Sequence, residues 1–232
     1  MKRHLVLFDI DGTLLLTAGA GRRAITAAVA EAIGHSPAFH GIRFDGKTDP
    51  QIVAELLSAA GHEPPHADEH VQALCRRYVT LLEQELVAPD TATTVMPGIH
   101  AVLDRLTQHD ATVLGLLTGN LAEGAALKLR AAGIAPARFA VGAYGSDSAC
   151  RADLPAIAAA RAERYFGRAP HGHEVVIIGD TPADVTCGSA IGARAVAVAT
   201  GGYSVDDLAS YGPHAVFADL SDTDRVLAAI LD

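Results

Sequence analysis

The 232 residues carry 18 Lys plus Arg against 27 Asp plus Glu, a net charge of −9, and 50% of them are hydrophobic. That is enough apolar material for a substantial buried core in one or two domains and argues against disorder, while the acidic balance and the lack of a long basic run argue against nucleic acid as a partner. No apolar stretch is long enough to span a bilayer, and three widely spaced cysteines, Cys75, Cys150 and Cys187, form neither a disulfide framework nor a zinc pattern.

Taken in chain order, the first apolar run is 5–8, which stops at Asp9, too short for a signal-peptide core. A cytoplasmic chain with reduced thiols is therefore expected. Residues 24–33, 51–60 and 71–86 read as helices with no convincing strand between them, Pro64-Pro65 marking an internal turn and 88–97 a return linker. Further apolar runs at 113–117, 175–178 and 195–198 read as buried parallel strands. They alternate with helical patterns at 99–106, 121–132, 154–166 and 182–191, where Pro182 suits a first helical turn. Strand alternating with helix predicts an α/β fold, a doubly wound (Rossmann-like) parallel sheet, with the helical stretch as an insertion.

Asp9 ends the first strand and Asp11 follows two residues later, with Gly12 permitting a sharp departure of the chain. The strand 175–178 delivers Gly-Asp-Thr-Pro-Ala-Asp in the same way, placing Asp180 at its carboxyl end and Asp184 in the first turn of the next helix. In open α/β sheets ligands bind at that edge. Four converging carboxylates repel one another unless a hard cation sits among them, and Mg2+ is the economical choice. A third strand ends in Thr118, Gly119 and Asn120, where a hydroxyl and backbone amides at a helix start can clamp a phosphate.

Together these residues resemble the haloacid dehalogenase superfamily of phosphohydrolases. Asp9-Ile10-Asp11-Gly12-Thr13 is similar to its first motif, Thr118 to its second, and Gly179-Asp180-Thr181 with Asp184 to its last. The match covers nearly the whole chain, and the phosphoglycolate-phosphatase-like branch is the most similar. The resemblance implies a catalytic core at 1–18 and 92–232 and an inserted α-helical cap domain at 19–91 that selects the substrate. It further implies that Asp9 attacks phosphorus and that Asp11 serves as general acid and then base. Asp9, the backbone carbonyl of Asp11, Asp180 and Asp184 are the implied Mg2+ ligands, and the substrate a small phosphorylated metabolite. The family's third motif is usually a lysine, yet Lys2, Lys47 and Lys128 all lie outside the expected stretch, so Arg151 takes that phosphate-binding role.

Other readings compete. Residues 41–48 satisfy the phosphate-loop pattern of an NTPase, but 36–40 make a poor preceding strand, so Gly46, Lys47 and Thr48 read instead as a cap loop that reaches the substrate. Gly19, Gly21 and Ala24 imitate a dinucleotide fingerprint too far from the strand, and suit a hinge. Asp11 argues against a dehalogenase and a phosphonate-cleaving enzyme, and the long insertion against a phosphorylatable receiver module. A phosphomutase similar to β-phosphoglucomutase shares every motif and stays open. Arg22 and Tyr144 read as packing or solvated side chains. The oligomeric state is not legible.

Overall fold

The computed structural model describes residues 4–35, 39 and 41–232. The chain runs through β1 (His4–Phe8), β2 (Leu15–Leu16), α1 (Ala20–Ile33), α2 (Asp49–Ala59), α3 (Asp68–Leu86), β3 (Thr94–Val95), α4 (Ile99–Gln108), β4 (Thr112–Thr118) and α5 (Ala122–Ala131). It continues through β5 (Val141–Tyr144), α6 (Leu154–Phe166), β6 (Val175–Gly179), α7 (Pro182–Cys187), β7 (Arg194–Val198), α8 (Val205–Ala209), β8 (Ala215–Phe217) and α9 (Thr223–Leu231). Six parallel strands form one sheet in the order β5-β4-β1-β6-β7-β8. This is the expected doubly wound α/β fold.

Period-two geometry turns each strand into two core faces. From β1, Val6 and Phe8 pack into an apolar cluster with Val102, Leu103 and Leu129, whereas Leu5 and Leu7 face Leu154, Ala158 and Ala162 of α6. After β1 the chain winds outward through β4 and β5, then crosses to β6 and winds the other way, so β1 and β6 flank the switch point where a crevice opens beyond the strand ends. Helices α1–α3 surround a separate cluster that includes Ile25, Leu56, Leu57, Tyr78 and Leu82, and it meets the sheet layer at Leu121.

The boundaries differ instructively. The expected helix at 182–191 breaks at Gly188 into α7 and a 3-10 turn, Ser189–Ile191. The linker at 88–97 contains β3, which pairs antiparallel with β2. Gly21, expected in a hinge, lies inside the first turn of α1. Strands β5 and β8 were not expected. The segment 36–40 lies outside the described residues except Phe39, and 41–48 contains no strand. Among the described residues no helix is long and apolar enough to cross a membrane.

Candidate functional site

Asp9 leaves the end of β1 with its N–H donating to Ile178 O at 2.9 Å, so the backbone of β6 fixes the carboxylate's position. The next turn needs glycine: Gly12 has φ +88°, and a Cβ there would lie 2.4 Å from Asp180 Oδ2. Thr13 Oγ1 donates to Asp180 Oδ1 at 2.9 Å, aiming Asp180 back toward the first strand. Asp184 accepts from Thr181 N–H and Oγ1 at 3.0 and 2.6 Å, as the residue that closes the capping box of α7. Asp9, Asp180 and Asp184 thereby converge, each with a carboxylate oxygen within 4.8 Å of the others, at 6%, 4% and 1% exposure.

Arg151 enters this cluster from a 3-10 turn ahead of α6. Its guanidinium lies 3.3 Å from Asp9 Oδ1 and bonds Asp184 Oδ1, while its buried Nε has no partner among the described residues. Burial works against this charge, but Asp184 and Asp9 hold its pKa above the usual arginine value. One guanidinium does not neutralise three carboxylates. Burial pushes Asp9 up to about 6 against the pull of Arg151, with Asp184 and Asp11 adding to the rise. Burial, then Asp184 and Asp9, push Asp180 well above the carboxylate range. An all-oxygen set with excess negative charge fits a hard divalent cation.

Asp11 points elsewhere. Its carboxylate accepts from Lys128 Nζ at 2.6 and 2.8 Å and from Asn120 Nδ2 at 2.7 Å, and among the described residues the candidate cation cluster is Asp9, Asp180 and Asp184 without it. Lys128 also donates to Asn120 Oδ1 at 2.6 Å. Thr118 Oγ1 accepts from Asn120 N and Nδ2, which leaves the hydroxyl hydrogen free for an anion. Thus Thr118, Gly119, Asn120, Arg151 and all four aspartates line or adjoin one cleft.

Lys128 escaped the sequence reading, which placed every lysine outside the third-motif stretch. It sits one helix after β4, and the signal was a lone charge on the apolar stripe of α5, among Gly124, Ala125 and Leu129. On the acid–base role that the resemblance implies for Asp11, replacing Lys128 with Met should lower kcat by about ten- to hundredfold through misplacement of that carboxylate, with a smaller change in KM. Steady-state kinetics on a purified variant would check this.

The 46–49 segment lies against the same cleft. Gly46 and Lys47 line it, whereas Thr48 is buried and caps α2 while donating to Ala149 O at 2.7 Å. Lys47 pairs with Glu55 at 2.5 Å, and its carbonyl packs so closely on Gly119 that a Cβ there would lie 2.0 Å away. Asp49, also missed, accepts from Leu121 N–H at 2.8 Å and donates its own N–H to Gly119 O at 2.8 Å. Burial raises its pKa to about 6. Because the folded value exceeds the unfolded one of 3.8, the folded state binds the extra proton between them, and stability contributed by Asp49 is lost as pH rises from about 4 to 6. Asp49→Asn should flatten that part of the metal-free stability curve, an effect of up to roughly 3 kcal/mol in urea unfolding.

An α/β sheet with three clustered carboxylates beyond its strand ends can hold a divalent cation at the edge where such sheets bind ligands. Residues 4–192 match the haloacid dehalogenase-like hydrolase family, and the chain belongs to it. It is 29% identical to a phosphoglycolate phosphatase of Cereibacter sphaeroides over 97% of this chain and 98% of that one. In fold it is similar to a hydrolase from Pseudomonas syringae (TM-score 0.71, 21% identity, 99% of each chain). It also matches CbbY from Rhodobacter sphaeroides, solved with phosphate (TM-score 0.70, 18% identity, 96% of each chain).

Proposed function

We propose that this hydrolase is a magnesium-dependent, cytoplasmic phosphatase that cleaves a small phosphomonoester, phosphoglycolate-phosphatase-like, through an aspartyl-phosphate on Asp9. The observation that carries the reading is the Asp9 carboxylate at the carboxyl end of β1, 3.3 Å from Arg151 and clustered with Asp180 and Asp184. The name of the Cereibacter relative supports the substrate class, and three free cysteines support a reducing compartment. Residues 19–91 form the cap domain over a core of 1–18 and 92–232, consistent with the separate apolar cluster of α1–α3.

In this reading Asp9 attacks phosphorus in line and the bond from phosphorus to the departing oxygen breaks. Asp11 gives that oxygen a proton, then takes one from the water that attacks the aspartyl-phosphate, releasing inorganic phosphate and regenerating Asp9. Lys128 and Asn120 hold Asp11 in reach. The Thr118 hydroxyl, amides at Gly119 and Asn120 and the Arg151 fork bind the phosphoryl oxygens. Magnesium, held by Asp9, Asp180, the Asp11 carbonyl and Asp184 directly or through water, supplies charge neutralisation at phosphorus.

A phosphate-release screen over metabolite monoesters, run in magnesium and in EDTA, tests the proposal. Release from a small monoester that vanishes in EDTA is expected. Isomerised product without free phosphate would instead reveal a mutase. Release from ATP that needs Lys47 but not Asp9 would overturn the reading in favour of an NTPase.

A further inference from the structure

The cleft beyond Asp9 encloses about 230 Å³. That is below the roughly 300–1,000 Å³ of ordinary small-molecule pockets, so once a phosphoryl group is seated only a short tail remains to be recognised. The charges on its wall are mostly spent on one another. Four cationic side chains line it: Arg22, Lys47, Lys128 and Arg151. Lys47 is paired with Glu55, Lys128 with Asp11, and Arg151 with Asp9 and Asp184.

Arg22 alone among these has no carboxylate partner among the described residues. It lies on the first turn of α1, where its guanidinium sits 3.8 Å from the Phe44 ring centroid and gives one N–H to Ile42 O at 2.9 Å. The stacked ring and the carbonyl fix the plane of the fork while leaving other donors unused, which is preorganisation for a planar anion.

A second, independent feature lies on the same wall. Tyr78 of α3 is 1% exposed, yet it lines the cavity. A Cβ built on Gly21 would lie 3.8 Å from its hydroxyl, which therefore borders the turn that carries Arg22. Burial, then Asp49 and Asp11, keep its pKa well above the phenol value, so it stays a donor. A phenol that keeps its proton on the cavity wall can give it to an acceptor on the ligand.

We infer that Arg22, with the Tyr78 hydroxyl, is the specificity determinant of this site and binds a second anionic group, a carboxylate, at the end of the substrate remote from phosphorus. This rests on the phosphatase reading above, and it assigns to Arg22 a role beyond the packing or solvation expected of it. The interaction is remote from the reacting atoms and present in ground and transition states alike, so its loss appears mainly in KM.

The test compares 2-phosphoglycolate with ethyl phosphate, which replaces the carboxylate by a methyl group. The wild-type enzyme should favour phosphoglycolate in kcat/KM, and Arg22→Gln should reduce that ratio by roughly tenfold or more, chiefly through KM. Arg22→Lys should recover part of it, and Tyr78→Phe, which keeps the buried ring, should reduce the ratio a fewfold. If phosphate is released from both esters and Asp9→Asn stops it, but the ratio is the same with and without Arg22, the inference fails and the phosphatase reading stands. If neither these esters nor any monoester of the screen yields phosphate, both fail together.

Discussion

Asp9→Asn should abolish turnover of every phosphomonoester, by on the order of 10⁴-fold or more in kcat, while the protein stays folded. The asparagine has the shape of aspartate, and the N–H bond from residue 9 to Ile178 O belongs to the backbone, so the end of β1 keeps its geometry. What is lost, on the proposed mechanism, is the attacking oxygen and its charge. Burial already pushes the Asp9 carboxyl up to about 6, so ionising it inside the cluster costs stability at neutral pH. The folded value lies above the unfolded 3.8, and the destabilisation grows as pH rises between them. The variant should therefore unfold in metal-free buffer at pH 8 no more readily than the wild type, and the pairing Arg151 loses at Asp9 is retained at Asp184. Two measurements decide the matter: phosphate release, and intact mass after acid quench, where only the wild type should carry a substrate-derived phosphoryl group. Residual turnover within tenfold of wild type would remove Asp9 from the chemistry.

How far the amino-acid order reveals this site depends on whether a signal is local. Strands β1, β4, β6 and β7 are buried on both faces and therefore read as unbroken apolar runs, and the polar residues that end them, Asp9, Thr118 and Asp180, mark one sheet edge. The short strand β5 alternates buried and half-buried positions through Val-Gly-Ala-Tyr, and β8 has only three residues, so neither stands out from its surroundings. Pro182 announced the start of α7, but the Gly188 break is a packing effect: a Cβ there would lie 2.6 Å from Ile177 Cδ1. Arg151 could be assigned because a motif left a vacancy for a cation. Lys128 and Asp49 were missed because Asp11, the carboxylate Lys128 holds, and Leu121, whose N–H donates to Asp49, are 117 and 72 residues away and only the tertiary fold brings them together. Asp49 in particular follows Thr48 and precedes Pro50, and reads locally as part of a helix start, which it also is.

Arg151→Met should be the most destabilising single change at the site, and magnesium should reverse much of it. Asp9, Asp180 and Asp184 are all less than a tenth exposed, and Arg151 forms ion pairs with Asp9 and Asp184. Methionine fills similar space without charge, so the variant leaves the carboxylates uncompensated rather than merely opening a cavity, and breaking a buried pair from one side costs about 3–5 kcal/mol. The pH dependence follows in sign. Asp9 and Asp180 already have folded pKa values above the unfolded carboxylate, held down in part by Arg151. Removing the guanidinium raises them further, so the folded variant takes up protons that the unfolded chain does not, and its stability falls more steeply than wild type as pH rises from about 4 toward 8. A divalent cation that binds only the folded state adds about 2.7 kcal/mol at a hundredfold excess over its Kd. Without Arg151 to repel it, the cation should bind the variant more tightly, so magnesium should raise the melting temperature of Arg151→Met more than that of the wild type. Calorimetric scans at pH 5 and pH 8, with magnesium and with EDTA, would separate these effects. Equal melting curves with and without the metal in both proteins would mean that the acidic cluster does not hold a cation.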